Sequence, residues 1–207
     1  MGIQDFIQVP LGKLEVDLGQ FDCGREEVND FFKCEAQAYQ NELFGKTYFL
    51  CDPQSASEGR GPLKAAAGFT VANACIFTSQ LPNSRQKKIG HEVHNEKGLV
   101  NYPAVLLAQL GIDNNYKGHQ LGRQIIDYVA YWFTRDDNKS GCRHLILDAY
   151  NEEGLIQYYR NSGMEMFFST EEQERKYRNW PENKGPLKTR LMFRDMILLK
   201  RPSIRIQ

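Results

Sequence analysis

Tyr102-Pro103-Ala104-Val105-Leu106-Leu107-Ala108-Gln109-Leu110-Gly111-Ile112-Asp113 is followed by Asn114-Asn115-Tyr116-Lys117-Gly118-His119-Gln120 and then by Leu121-Gly122-Arg123. The first part is a near-continuous apolar run, the pattern of a strand buried on both faces. From Leu121 the apolar residues recur at Ile125, Val129 and Trp132/Phe133, which is helical spacing. Between strand and helix, Gly118 and Gly122 let backbone crowd against a ligand. The opening helix adds unpaired N–H groups and the positive end of its dipole. Strand, turn and helix N-terminus together predict an anion seat, most simply for a pyrophosphate. The glycines alone would equally suit an ordinary tight strand-to-helix turn.

Outward from this stretch the chain reads as one mixed sheet flanked by helices, an α/β architecture. Phe6 to Leu18 predicts a first strand with a turn at Pro10. A strong amphipathic helix follows, with Val28, Phe31, Phe32, Ala36, Tyr39 and Leu43 on one face and Gly45 ending it. Thr47–Cys51 predicts a short strand, 52–62 a loop, and Leu63–Thr78 a longer strand bulged around Gly68. Residues 79–101 are polar and without pattern. His91 and His94 there raise the question of a metal, but no third ligand stands at suitable spacing, so both are expected to be solvated loop residues. Further on, Arg143–Tyr150 predicts a buried parallel strand, Gly154–Arg160 a short helix, and Met164–Phe168 a strand. Thr170–Gly185 reads as a charged insertion and Leu187–Leu199 as a long final strand.

The 207 residues suffice for one α/β domain with a substantial core. Net charge is zero, so no global field attracts nucleic acid or acidic membrane. The segment 171–207 is more basic than the rest, with ten Lys/Arg against five Asp/Glu, a pattern more often a solvated face than a binding surface. Cys23, Cys34, Cys51, Cys75 and Cys142 form no CxxC pair, and with no signal peptide they predict reduced thiols in a cytoplasmic protein. No apolar run reaches membrane-spanning length, and Met1-Gly2 lacks the Ser or Thr at position six that N-myristoylation needs.

Asn115-x-x-Gly118-x-Gln120-x-Gly122 resembles the coenzyme A loop of the GNAT superfamily of N-acetyltransferases, written Gln/Arg-x-x-Gly-x-Gly/Ala. Asn115 stands at the Gln/Arg position and Gln120 at the second Gly/Ala position. A side chain at Gln120 is expected to require a right-handed helical backbone there. One strand further on, Asn151-x-x-Gly154 and Tyr158-Tyr159-Arg160-Asn161-Ser162-Gly163-Met164 resemble the superfamily's Asn-x-x-Ala-x-x-Phe-Tyr-x-x-x-Gly-Phe. Counting back from Gly163 puts the tyrosine at Tyr159, and counting forward from Asn151 puts it at Tyr158. Tyr159 is preferred, because the Gly-Met junction sets how the helix meets the next strand. Phe21-Asp22-Cys23-Gly24 before Val28-Asn29-Asp30-Phe31-Phe32, with Lys46-Thr47-Tyr48 after, is similar to the branch of toxin acetyltransferases that acetylate aminoacyl-tRNA.

The resemblance implies a single acetyltransferase domain over residues 1–207, with an N-terminal half at 1–102 and a coenzyme A-binding half and C-terminal strand at 103–207. It implies acetyl-CoA as co-substrate and no metal. Leu110, Gly111 and Ile112 would lend backbone to the pantetheine arm and the thioester carbonyl. Lys117, Gly118, His119, Gln120, Leu121, Gly122 and Arg123 would hold the pyrophosphate, Asn151 the pantetheine end, and Tyr159 would protonate the departing thiolate. The acceptor stays open among a small molecule, a protein amine and an aminoacyl group. An α-amine near pKa ~8 costs only about 1 kcal/mol to deprotonate at neutral pH, against about 4 to 5 for lysine, so it suits a site without an evident base. Asp113 and Asp148 end neighbouring strands and neither is assigned that role. The toxin branch implies tRNA and an antitoxin protein as partners and leaves a homodimer open. A non-catalytic acyl-CoA-binding module is the alternative from another class.

Overall fold

The computed structural model describes residues 1–55, 61–90 and 100–200. The expected first strand is two short ones, β1 (Ile7–Pro10) and β2 (Val16–Asp17). The amphipathic helix begins as α1 (Glu26–Asp30), widens into a π-helical turn over Phe31–Glu35, and resumes as α2 (Ala36–Asn41). One extra residue in the turn rotates the apolar face, so Val28, Phe31, Phe32 and Ala36 are buried while Leu43 is 91% exposed. The helix also stops earlier than Gly45. Leu43 takes the left-handed φ of +64°, its N–H reaches the Gln40 carbonyl at 3.1 Å, and the Phe44 N–H reaches the Tyr39 carbonyl at 3.1 Å. This is the cap that glycine usually makes, here made by leucine.

Strands β3 (Lys46–Cys51) and β4 (Leu63–Phe77) follow. Their register slips between Leu50↔Ala67 and Cys51↔Ala65, so the bulged residue is Ala66 and not Gly68. Gly68 has a different reason to be glycine. A Cβ there would come within 2.9 Å of the Phe32 ring, and one on Gly111 within 3.1 Å of the same ring. Phe32 therefore lies on a floor of two glycines, edge-on to Phe21 and Phe31 and in a core with Val9, Val28, Ala36 and Phe49.

The patternless stretch after β4 contains a helix, α3 (Asn83–Ile89), whose one buried residue is Ile89; His91 and His94 lie outside the described residues. The run that decides the fold forms β5 (Asn101–Ile112) and α4 (Leu121–Thr134). Next come β6 (His144–Tyr150), α5 (Glu153–Asn161), the short β7 (Glu165–Met166) and α6 (Glu171–Tyr177). The expected long last strand ends early, as β8 (Thr189–Asp195). Asp195 accepts the Ile197 N–H at 3.1 Å and turns the chain into α7 (Ile197–Lys200).

The sheet is mixed, ordered β1-β3-β4-β5-β6-β8-β7 with β2 beside β4. β5 and β6 pair in parallel over Ala104↔His144 to Leu106↔Ile146, whereas β6 pairs with β8 along its whole length to Tyr150↔Thr189. The chain forms two compact units, Met1–Asn73 with Leu107–Tyr128, and Ala74–Leu106 with Val129–Gln207. In the second unit Phe167, Phe168, Phe193, Ile76 and Ile89 form the core. The charged segment 170–185 contains α6, whose Glu174 is fully buried. Glu174 accepts from Arg178 at 2.8 Å, Arg190 at 2.7 Å and the Leu191 N–H at 2.6 Å, clasping α6 to β8. Among the described residues no helix is long and apolar enough to cross a membrane.

Candidate functional site

One group of the predicted residues lies in the first unit, where β5 ends. Asp113, 4% exposed, turns the chain out of the strand. Its carboxylate accepts the N–H groups of Asn115 at 2.9 Å and Asp22 at 3.0 Å and the Asn115 side-chain amide at 2.9 Å, and its own N–H pairs with the Ala66 carbonyl at 2.9 Å. It thereby caps a single 3-10 turn, Asn114–Tyr116. Tyr116 donates its hydroxyl to Asp52 at 2.9 Å and stands edge-on to Phe6. Burial and that carboxylate push its phenol up to about 12, so it stays protonated at neutral pH.

Beyond the turn the backbone opens. Gly118 and Gln120 both have left-handed φ, +86° and +57°, and a Cβ on Gly118 would meet nothing within 4 Å. The expectation that Gln120 is right-handed helical is thus overturned. Its carbonyl accepts the first helical bond, from the Gln124 N–H at 3.1 Å, but its own backbone keeps the conformation that glycine adopts more easily, at a cost of roughly 1 to 2 kcal/mol. A glutamine therefore holds a backbone conformation for which glycine is better suited. Leu121, Gly122 and Arg123 are the first three helical residues, so no preceding turn supplies carbonyls for their N–H groups. The Leu121 side chain is buried in the core, which leaves its amide as the group it offers a ligand. Arg123 is half-exposed and only loosely paired with Asp127, at 4.0 Å. His119 is exposed, its carbonyl held by the Gln124 side chain at 3.0 Å. Lys117 is exposed too, its ammonium resting on the Cys23 carbonyl at 3.1 Å.

Upstream on β5, Leu110 and Ile112 are half-buried and Gly111 is buried under Phe32, Val28 and Cys23. Beside Gln109 of the same strand is an open groove of about 460 Å³ lined by Glu26, Glu27, Asp30, Phe31 and Glu35 of the helix.

A separate group of predicted residues lies in the other unit. Asn151 follows β6 and donates its side-chain amide to the Leu187 carbonyl at 2.9 Å and to Glu171 at 3.3 Å, so its Oδ1 is the atom left to accept from a ligand. Tyr159 is half-buried on α5, edge-on to the more exposed Tyr158 at 5.5 Å. The helix ends in a glycine cap: Gly163 has φ +80°, its N–H reaches Arg160 at 3.0 Å, and the Met164 N–H reaches the Tyr159 carbonyl at 3.0 Å. The Gly-Met junction thus binds directly to Tyr159 and sets its place on the helix. Asp148 pairs with Arg178. Among the described residues no group of three or more His, Cys, Asp or Glu could hold a metal ion.

Asp22 stands in the Phe21-Asp22-Cys23-Gly24 stretch quoted above, but nothing in that stretch assigns it a role at the loop, where every one of its polar groups is engaged.

No protein-family model matches the chain. Among solved structures it is similar to a tyrosine-to-phenylalanine mutant of KacT, with 20% identity, 95% of this chain and 98% of that chain covered, and a TM-score of 0.69. It is similar to AtaT complexed with acetyl-methionyl-tRNAfMet, at 20% identity, 95% and 98% coverage and a TM-score of 0.68. The corresponding figures for AtaTR bound with acetyl-CoA are 19%, 96% and 99%, and 0.67. At this identity the likeness establishes a common fold.

Proposed function

We propose that the chain is an acetyl-CoA-dependent N-acetyltransferase of the toxin branch of the GNAT superfamily, acetylating the α-amino group of an aminoacyl-tRNA. The observation that carries the reading is the junction from Ile112 to Arg123, where a strand end, two left-handed residues and three first-turn amides present donors to an anion. It sits on a fold shared over 95% of the chain with an AtaT structure that holds acetyl-methionyl-tRNA. All 207 residues act as one acetyltransferase domain.

Acetyl-CoA would supply an already activated thioester. Lys117, Gly118, His119, Gln120, Leu121, Gly122 and Arg123 hold its diphosphate by amides and charge. Leu110, Gly111 and Ile112 offer backbone to the pantetheine arm and thioester carbonyl, and Asn151 offers Oδ1. Tyr159 gives its phenolic proton to the departing thiolate. Asp113 is committed to amide donors and Asp148 to Arg178. With both engaged, the acceptor that needs a base least, an α-amine near pKa ~8, fits best. An antitoxin protein and a second copy of the chain are the expected partners, and the cytoplasm, where five free cysteines stay reduced, the expected compartment.

The test is thiol release from acetyl-CoA with aminoacyl-tRNA as acceptor. Tyr159→Phe is expected to lower kcat about 100-fold or more with acetyl-CoA affinity unchanged; an unchanged rate removes the tyrosine from the chemistry. A second reading, transfer to a small cationic amine, is favoured by the carboxylates around the groove beside Gln109, which attract a protonated amine and repel a polyanion. Turnover with a polyamine and none with aminoacyl-tRNA would decide for it.

A further inference from the structure

Asp22 precedes α1 by a few residues, and its contacts converge on the loop that follows β5. Its N–H donates to the Asp113 carboxylate at 3.0 Å, and its carbonyl accepts the Asn114 N–H at 2.8 Å. Of its carboxylate oxygens, one accepts the Gly24 N–H at 2.7 Å and the Asn29 side-chain amide at 2.8 Å, while the other accepts the Asn114 side-chain amide at 2.9 Å. The Cys23 N–H is held by Asn29 at 2.9 Å, and the Cys23 carbonyl receives the Lys117 ammonium. Gly24 has φ +80°, and a Cβ there would come 3.2 Å from that ammonium, so the cation closes against a residue with no side chain. The bond from Gly24, then that from Asn29, with the charge of Lys117 further down, holds the Asp22 carboxyl below the usual carboxylate range, so it is ionised at neutral pH.

We propose that Asp22 is a positioning residue for the acyl donor. Through Asn114 it fixes the start of the loop that runs to Gln120, and through Asp113 it fixes the end of the strand. Through its charge and the Cys23 carbonyl it keeps Lys117 at the loop rather than in solvent. The loop is thereby ordered before a diphosphate arrives, and binding does not have to supply that ordering. Asp22 touches neither donor nor acceptor. The inference rests on the proposal that this loop binds acetyl-CoA.

The experiment is calorimetric titration of the full chain with acetyl-CoA, with steady-state kinetics and ligand-free melting alongside. Asp22→Ala is expected to weaken acetyl-CoA binding and raise its KM about 10-fold while kcat stays within about twofold, corresponding to about 1.4 kcal/mol of lost preorganisation. The exchange D22N/N114D, which restores one amide-to-carboxylate bond across the same gap, is expected to recover part of that loss. A residue that only supports the fold would lower the melting temperature without this split between KM and kcat and without recovery. Should Asp22→Ala not fold, Asn114→Ala removes one arm of the clamp and is read in the same way. Wild-type binding with unchanged affinity in the variants overturns this inference alone. A wild-type chain that binds no acetyl-CoA overturns the underlying reading and this inference with it.

Discussion

Asp113 in the first unit and Glu174 in the second are both buried carboxylates, and the protein satisfies them by opposite means. Glu174 is met by two guanidinium groups and one amide, so the cations of Arg178 and Arg190 are consumed in binding α6 to β8. Asp113 is met by neutral amide donors. No cation is spent on it, and Lys117 and Arg123 remain exposed beside the open amides. A carboxylate held by cations locks a surface. One held by amides shapes a turn and leaves the neighbouring cations exposed.

The largest test of that contrast is Glu174→Ala, which takes from the partly buried Arg190 guanidinium its anion and leaves Arg178 with Asp148. It is expected to cost about 3 kcal/mol or more in denaturant unfolding. Glu174→Gln separates charge from hydrogen bonding: a comparable loss assigns the clasp to the ion pairs, and a small one to geometry. Asp113→Ala should cost less, about 1 to 3 kcal/mol, because the groups left unsatisfied are amides. A loss as large as that of Glu174→Ala would dissolve the distinction.

The smallest effect sharpens the comparison with a third case. His144 is fully buried, and neither ring nitrogen has a hydrogen-bond partner among the described residues. Its ring stands near Tyr102 at 6.0 Å and Phe193 at 6.3 Å. Burial pulls its pKa down to about 4, with Asp195 opposing and Arg143 assisting. The folded value lies below the unfolded one near 6.5, so between them the unfolded chain binds the proton more readily. The stability contribution is full above pH ~6.5 and is lost as pH falls towards 4. His144→Phe is expected to flatten melting temperature against pH in that window and to gain about 1 kcal/mol at neutral pH. An unchanged pH curve would show that other groups carry the slope.

The same chemistry explains what was legible in the sequence. β5 and α4 were, because burial of the strand and one helix face writes itself in apolar spacing. α6 was not, because the residue it buries is Glu174, and a search for apolar periodicity passes over a carboxylate inside. α3 was missed because Ile89 is the one residue it buries. At the site, the glycine-bearing turn around Gly118 was readable. The backbone of Gln120 was not readable, because a left-handed glutamine is imposed by its surroundings and not by its own preference. Leu43 shows the same limit, performing a glycine's task with a leucine.

Phe32 and the two glycines beneath it tie together three places far apart along the chain. Volume there behaves as a conserved sum: a methyl added at Gly68 has to be surrendered by the ring above, as leucine or smaller at position 32, and one added at Gly111 by that ring together with Val28 and Cys23. Homologous sequences should therefore trade bulk among these three positions in concert.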